Sequence, residues 1–381
     1  MESVRNEDNE RVRYLDIVKI FSFYGIVVLH NASDGPVHFF LATVCVACFI
    51  LLSGYFVSVK RYSGKASFRT VLGRIKPLLL CYGITAFIES LIFCLVFGVP
   101  VFDVFFTFLT GAGADGIGFN TVFNAGALWF ILALCWCEIF FLLSVKIVNF
   151  VKHRFGRYTV IFEIVFFIIV PVLLTFFKIP LKYSILGFAS GLACFPIFYF
   201  GTLCRRFNVF RYCNIVLFLI SIVGFFVIFW LFLSSDLMDL LRISLVNFHY
   251  GSYLLSFLCA CFLALGLITI VHFLDDKIGK KFNIVSCLLS CFGRYTLFML
   301  CLHAILLRVY DLFQRIMFSC VSYIDDIILR SFILAFLEIL LYCFIIYEIS
   351  RYKFFKFLFG QGDVREILNF RKERKVVQDG K

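Results

Sequence analysis

Charge is what this sequence is short of. Only 16% of its 381 residues are Asp, Glu, Lys or Arg, while 62% are hydrophobic and 19% aromatic, with 54 Phe. An ordinary soluble domain is about 25% charged and about 45–50% apolar. A fold of this length in water needs a polar surface, and this chain has too few residues to make one. A soluble enzyme, a disordered chain and a nucleic-acid-binding domain are excluded, and bilayer lipid is the solvent that fits. Other absences narrow the reading. The 16 Cys lie mostly inside apolar runs, as Cys45, Cys48, Cys135, Cys137, Cys259, Cys261 and Cys301 do. None stands in a metal-finger spacing with paired His. They read as small apolar core residues, and no metal is expected. The opening stretch MESVRNEDNERVR is polar, and no small-residue cleavage site follows the first apolar run. There is no repeat of solenoid length and no low-complexity tract.

What the chain does have is long apolar runs. A spanning helix takes about 20 mostly apolar residues. Ten candidates fill the sequence, at about 15–33, 38–59, 77–98, 126–146, 158–177, 184–203, 214–234, 252–273, 286–307 and 331–350. The expected architecture is an all-α integral membrane bundle of about ten transmembrane helices. One membrane domain covers 1–350, and a short basic tail covers 351–381. A net charge of +12 would point to an acidic partner in a soluble protein. Here it sorts by side. With the N-terminus in the cytoplasm and alternating spans, 29 of the 36 Lys and Arg fall in cytoplasmic segments. Six fall opposite (Lys178, Lys182, Arg242, Arg308, Arg315 and Arg330), and Arg294 lies inside the ninth run. The positive-inside rule then makes both termini cytoplasmic. The segment 99–125 is outside on this topology and carries Asp103 and Asp115 without Lys or Arg. Its glycines suit a flexible or re-entrant segment, or a plain connector.

Ionisable groups in a spanning helix are costly, so each is a candidate for function. Asp16 and Lys19 lie three apart on one face of the first helix, as an interfacial anchor or a working pair. His30 follows Lys19 by eleven residues, on the same face and about 16 Å further along the axis. It therefore falls in the outer half. Neutral imidazole can take a proton from a hydroxyl and return it near neutral pH, which suits acyl transfer. A lone His in a helix is more often a packed, hydrogen-bonded residue. His303, in the run ending RYTLFMLCLHAILLRVY, reaches a similar depth, so two histidines on separate helices could line one cavity. Glu89, Glu138, Glu163 and Glu338 are further intramembrane acids, as candidates for the bundle interior or as interhelical packing devices. The segment KRYSGKASFRTVLGRIKP carries Lys60, Arg61, Lys65, Arg69, Arg74 and Lys76 ahead of Pro77. Such a cluster can bind phosphates or lipid headgroups.

In this order the pieces resemble the acyltransferase-3 family of integral-membrane acyltransferases, which includes bacterial O-acetyltransferases of lipopolysaccharide and other envelope polysaccharides. The family's first helix looks like L-D-x-x-R with His following the Arg. Here it reads Leu15-Asp16-Ile17-Val18-Lys19, then His30. The second helix of the family ends in a phrase like F-x-L-S-G-F/Y, similar to Phe49-Ile50-Leu51-Leu52-Ser53-Gly54-Tyr55. A basic R-x-x-R before a Pro resembles Arg74-Ile75-Lys76-Pro77. An L-W-F phrase resembles Leu128-Trp129-Phe130, and a late Leu-His resembles Leu302-His303. Two positions depart. The family's first-helix Arg is Lys19 here, and the first Arg of R-x-x-R falls at Val71, so Arg69 or Lys76 would stand in. The resemblance implies an O-acyltransferase in a bacterial cytoplasmic (inner) membrane. Its donor would be cytoplasmic acetyl-CoA, and its acceptor an envelope glycan or lipid-linked saccharide. Its partners would be membrane lipid but no nucleic acid. Implied roles are His30 as general base or acyl carrier, and Asp16 positioning Lys19. His303 or Glu138 would orient the acceptor or His30, while Arg69, Arg74 and Lys76 meet the CoA phosphates. The rival reading is a transporter, since intramembrane Glu and His also mark proton relays. An assembly subunit for an envelope glycan is the third.

Overall fold

The computed structural model describes residues 12–32, 35–63, 67–96, 98–102, 104, 126–177, 185–212, 214–246, 248–277, 279, 282–308, 326–352 and 355. The segment around Asp103 and Asp115, Lys65 and most of the basic tail lie outside them. In lipid every backbone N–H and C=O must be satisfied within its own segment, so the apolar runs become helices. In chain order these are α1 (Arg13–Asn31), α2 (Pro36–Tyr55), α3 (Val59–Ser63), α4 (Ser67–Val96) and α5 (Trp129–Phe155). There follow α6 (Thr159–Leu174), α7 (Phe188–Arg206), α8 (Ile215–Phe232) and α9 (Ser235–Leu241). Last come α10 (Leu254–Lys277), α11 (Asn283–Gly293), α12 (Thr296–Arg308) and α13 (Ile327–Ile349). Side-chain caps set two of the starts. Asn214 accepts from the Leu217 N–H at 3.0 Å, and Asp326 accepts from Ile328 and Leu329 at 2.8 and 3.0 Å. Among the described residues one two-stranded antiparallel ladder pairs Ile243 with Tyr250 and Ser244 with His249.

This is an all-α membrane protein. Among the described residues seven helices are long and apolar enough to cross a membrane, or eight if α11 and α12 form one bent span. The first and fifth expected segments are helical too, but differ in kind. The nineteen residues of α1 include Arg13, Asp16 and Lys19. The short α6 is interrupted by a π-helical turn at Val165–Ile169, just before Pro171, which has no N–H to give.

Two expectations are corrected. The third expected helix begins at Ser67, not at about 77, so Arg69, Arg74 and Lys76 sit on that helix rather than ahead of it. Pro77 suits a helix start, yet it lies inside α4. Its ring and missing N–H disturb the carbonyl four residues back, and that residue is Gly73, beside which a Cβ would meet nothing within 4 Å. The ninth segment is not one straight helix: α11 and α12 meet at 67°. Gly293, the last residue of α11, passes so close to α1 that a Cβ there would overlap the Asp16 carbonyl oxygen.

Lipid inverts the usual sorting. The most apolar span, α8, buries only Ser221 and Phe232. The more polar α1 buries twelve of its nineteen residues and packs on α2, α10, α11, α12 and α13. Between α2 and α7 the backbones touch. A Cβ at Gly54 would overlap the Phe198 carbonyl, and one at Gly201 would overlap that of Leu51. Small residues at such a crossing let dispersion contacts replace a hydrophobic force that lipid does not provide. Gly54→Val should therefore lower the stability of the protein in detergent by about 1–3 kcal/mol, the usual cost of overpacking. A thermal melt equal to wild type would show that the crossing tolerates a side chain.

Candidate active site

The two ends of α1 carry separate polar clusters. At its C-terminal end His30 is exposed and His303, from α12, is 1% exposed. Their ring centroids are 5.1 Å apart, inclined by 51°. The two histidines therefore meet, as their similar depth suggested. His303 is oriented from α13. Its Nδ1 lies 2.8 Å from Glu338 Oε1 and 3.2 Å from the Tyr342 hydroxyl oxygen. Tyr342, one turn beyond Glu338, donates to the same Glu338 oxygen. Asn31 Nδ2 donates weakly to the other, at 3.5 Å. A carboxylate accepts only, so the bond to Glu338 assigns a proton to His303 Nδ1. In the neutral ring Nε2 is then the acceptor. That atom is buried and has no hydrogen-bond partner among the described residues. Phe23 closes the ring's edge at 6.1 Å. Ser331 Oγ to the Asn31 carbonyl at 3.0 Å, and Tyr24 Oη to the Phe332 carbonyl at 2.8 Å, also hold α1 to α13.

At the other end Asp16 is buried and shared by two cations. Lys19 Nζ is 3.0 Å from its Oδ1, and Arg294 Nε is 3.7 Å from its Oδ2. The Lys19 ammonium also lies 4.4 Å from the centre of the Phe56 ring. Arg294 sits at the bend between α11 and α12, which the approach of Gly293 to α1 makes possible. The sequence places Arg294 inside an apolar run and names no partner for it. Its signal is the one that marks Asp16, a charge where lipid should be. Below this cluster Arg13 Nε meets Asp275 at 2.9 Å, and Ser286 donates to the same carboxylate.

A third cluster contains Glu138, and it is not at the histidines. Arg74 Nε donates to Glu138 Oε1 at 2.6 Å, and Tyr62 donates to Oε2. With both oxygens so engaged, Glu138 serves Arg74 rather than His30 or His303, correcting the role expected for it. The pair stands in a cleft of about 190 Å³, walled by Gly73, Pro77, Leu134 and Phe198. Of the three basic residues expected to act together, Arg74 alone turns into this cleft. Arg69 and Lys76 stand exposed on α4. The helix explains the split: Arg69 and Arg74 are five apart and Arg74 and Lys76 two apart, spacings that do not share a face. Val71, where the family pattern has its first Arg, is buried.

Glu338 is one of the four intramembrane glutamates named beside Asp16, and nothing in the sequence singles it out. Its partners Tyr342 and His303 identify it. Glu163 takes the second of its two readings, an interhelical packing device, bonding Tyr199 at 2.9 Å and Arg206 at 2.9 and 3.0 Å. Among the described residues no group of three or more His, Cys, Asp or Glu could hold a metal ion.

Comparison with known proteins adds one finding. A family model for an acyltransferase domain, Acyl_transf_3, matches residues 12–348. No curated protein and no solved structure matches the chain significantly.

Proposed function

The chain belongs to the acyltransferase-3 family, and on that premise we propose that it moves an acetyl group from cytoplasmic acetyl-CoA to a hydroxyl of an envelope glycan or lipid-linked sugar on the far side of a bacterial inner membrane. The membrane acyltransferase is the family's activity; the donor, acceptor and direction are the proposal. One observation carries it: an exposed imidazole, His30, standing against a buried one, His303, whose Nδ1 is engaged by Glu338. An acyl transfer needs a base that the acceptor can reach and a fixed neighbour to orient it.

On this reading His30 takes the acceptor's proton as its oxygen attacks the thioester carbonyl. The C–S bond breaks, CoA leaves as thiolate, and the proton passes from His30 to the sulfur. His303, held by Glu338 and Tyr342, orients His30 or the incoming hydroxyl through Nε2. The Asp16, Lys19 and Arg294 cluster and the Arg74 cleft lie toward the side that the basic residues mark as cytoplasmic, where the CoA phosphates arrive. Arg69 and Lys76, exposed on the same helix, add to the local positive field.

Membranes incubated with labelled acetyl-CoA test the proposal. Label should move onto envelope glycan. Label accumulating on the protein in the absence of acceptor would make His30 a carrier rather than a base. Substrate entering vesicles without covalent change would mean transport, and neither result would leave an assembly role. Orientation has its own test: a reporter fused after Lys65 should read cytoplasmic and one after Asn120 extracytoplasmic. The reverse would turn the Arg74 cleft away from the donor.

A further inference from the structure

The cleft between α4 and α5 holds its cation and its anion in direct contact. The Glu138 side chain is 3% exposed and that of Arg74 is 35% exposed, so one partner is sealed into the wall and the other opens to the cleft. Tyr62 donates to the far oxygen of Glu138 and keeps the carboxylate from turning away. Tyr62 is itself packed on Phe141 at 5.0 Å. Arg74 spends Nε on the carboxylate, while Nη2 reaches the Ser53 carbonyl at only 3.5 Å. A guanidinium carries five N–H groups, so its Nη edge still offers donors to the cleft. The wall in front of it is open, because Gly73 has no side chain and nothing stands within 4 Å of where one would begin. An anion arriving there meets a guanidinium whose charge Glu138 already balances.

We propose that Glu138 is a built-in counter-anion that sets how tightly the Arg74 cleft holds an anionic donor. This rests on the acyl-CoA reading above. CoA carries the same phosphates before and after transfer, so a cleft that gripped them at full strength would retain product as firmly as donor. Glu138 weakens both alike. It touches Arg74 rather than the reacting atoms, so it governs affinity and product release and is not a catalytic residue. Uniform changes in binding of this kind appear in KM and in product inhibition rather than in the chemical step.

The test uses the full-length protein in detergent, with CoA itself as the calorimetric probe and acetyl transfer as the kinetic one. Glu138→Gln keeps the shape and an oxygen for Arg74 but removes the charge. CoA should bind about tenfold more tightly, the size of one screened charge contact. The donor KM should fall with it, and inhibition by CoA should sharpen. A fall in kcat with CoA affinity unchanged would make Glu138 part of the chemistry. A lower melting temperature with both unchanged would make it structural. Either result overturns the inference. Should the Gln variant fail to fold, Glu138→Asp keeps the charge balance and withdraws the carboxylate by one methylene. It should then tighten CoA binding by a smaller factor, about two- to threefold, and unchanged or weaker binding overturns the inference. A wild-type protein that neither binds CoA nor transfers acetyl removes the donor reading and this inference with it. A wild-type protein that binds CoA, with a Gln variant that binds it no tighter, removes this inference alone.

Discussion

Membranes carrying His30→Ala should transfer acyl groups about 10²–10⁴-fold more slowly than wild type, the usual contribution of a positioned general base. Insertion and yield should be unchanged. His30 is exposed at the end of α1, so trimming it opens no cavity in the packed core. His303 makes a poorer probe. It is 1% exposed and its Nδ1 lies on Glu338 and Tyr342, so its removal would leave a buried carboxylate without one of its partners. Lost activity there would mix chemistry with folding. The measurement is transfer from labelled acetyl-CoA, normalised to membrane-inserted protein. Transfer at the wild-type rate would end the assignment of His30 and shift attention to His303 Nε2, the buried acceptor beside it.

The second large effect falls on stability. Asp16→Ala should destabilise the protein by about 3–5 kcal/mol, the cost of removing one partner from a buried ion pair. Asp16 is 1% exposed, and its carboxylate is shared by Lys19 on its own helix and Arg294 at the α11–α12 bend. The Lys19 and Arg294 side chains remain 20% and 16% exposed, which lets some water reach them and favours the lower end of that range. The loss should show in the melting temperature in detergent and in a sharply reduced membrane yield. Asp16→Asn, which keeps shape and hydrogen-bonding capacity, should lose less. An Ala variant that melts like wild type would mean that the cluster holds the helices together by packing alone, through Gly293 against the Asp16 backbone.

Several residues of the site are legible in the amino-acid sequence. Asp16, Lys19, His30 and His303 stand out because lipid makes an ionisable side chain expensive, and such residues are placed only for a reason. Their depth follows from helix rise alone, which is why the meeting of His30 and His303 can be anticipated. Arg294 carries the same signal, but a single charge in a run names no partner. Glu138 belongs to a different cluster from the one expected. Periodicity says which face of a helix a residue occupies but not which helix faces it. Glu138 pairs with Arg74 across 64 residues, and His303 with Glu338 across 35.

Composition by itself determined the class of this protein. Too little charge for a surface in water leaves lipid, and lipid requires that backbone groups be satisfied inside helices. The tertiary structure decided the rest. The polar α1 lies at the centre and the most apolar helix, α8, on the outside, because in lipid the costly groups rather than the apolar ones must find shelter. The structure also decided that Arg74 faces inward while Arg69 and Lys76 do not, since α4 begins at Ser67 and continues through Pro77. And it decided that His303 is held by Glu338 and Tyr342, because α12 and α13 bring side chains far apart in the chain within hydrogen-bond reach.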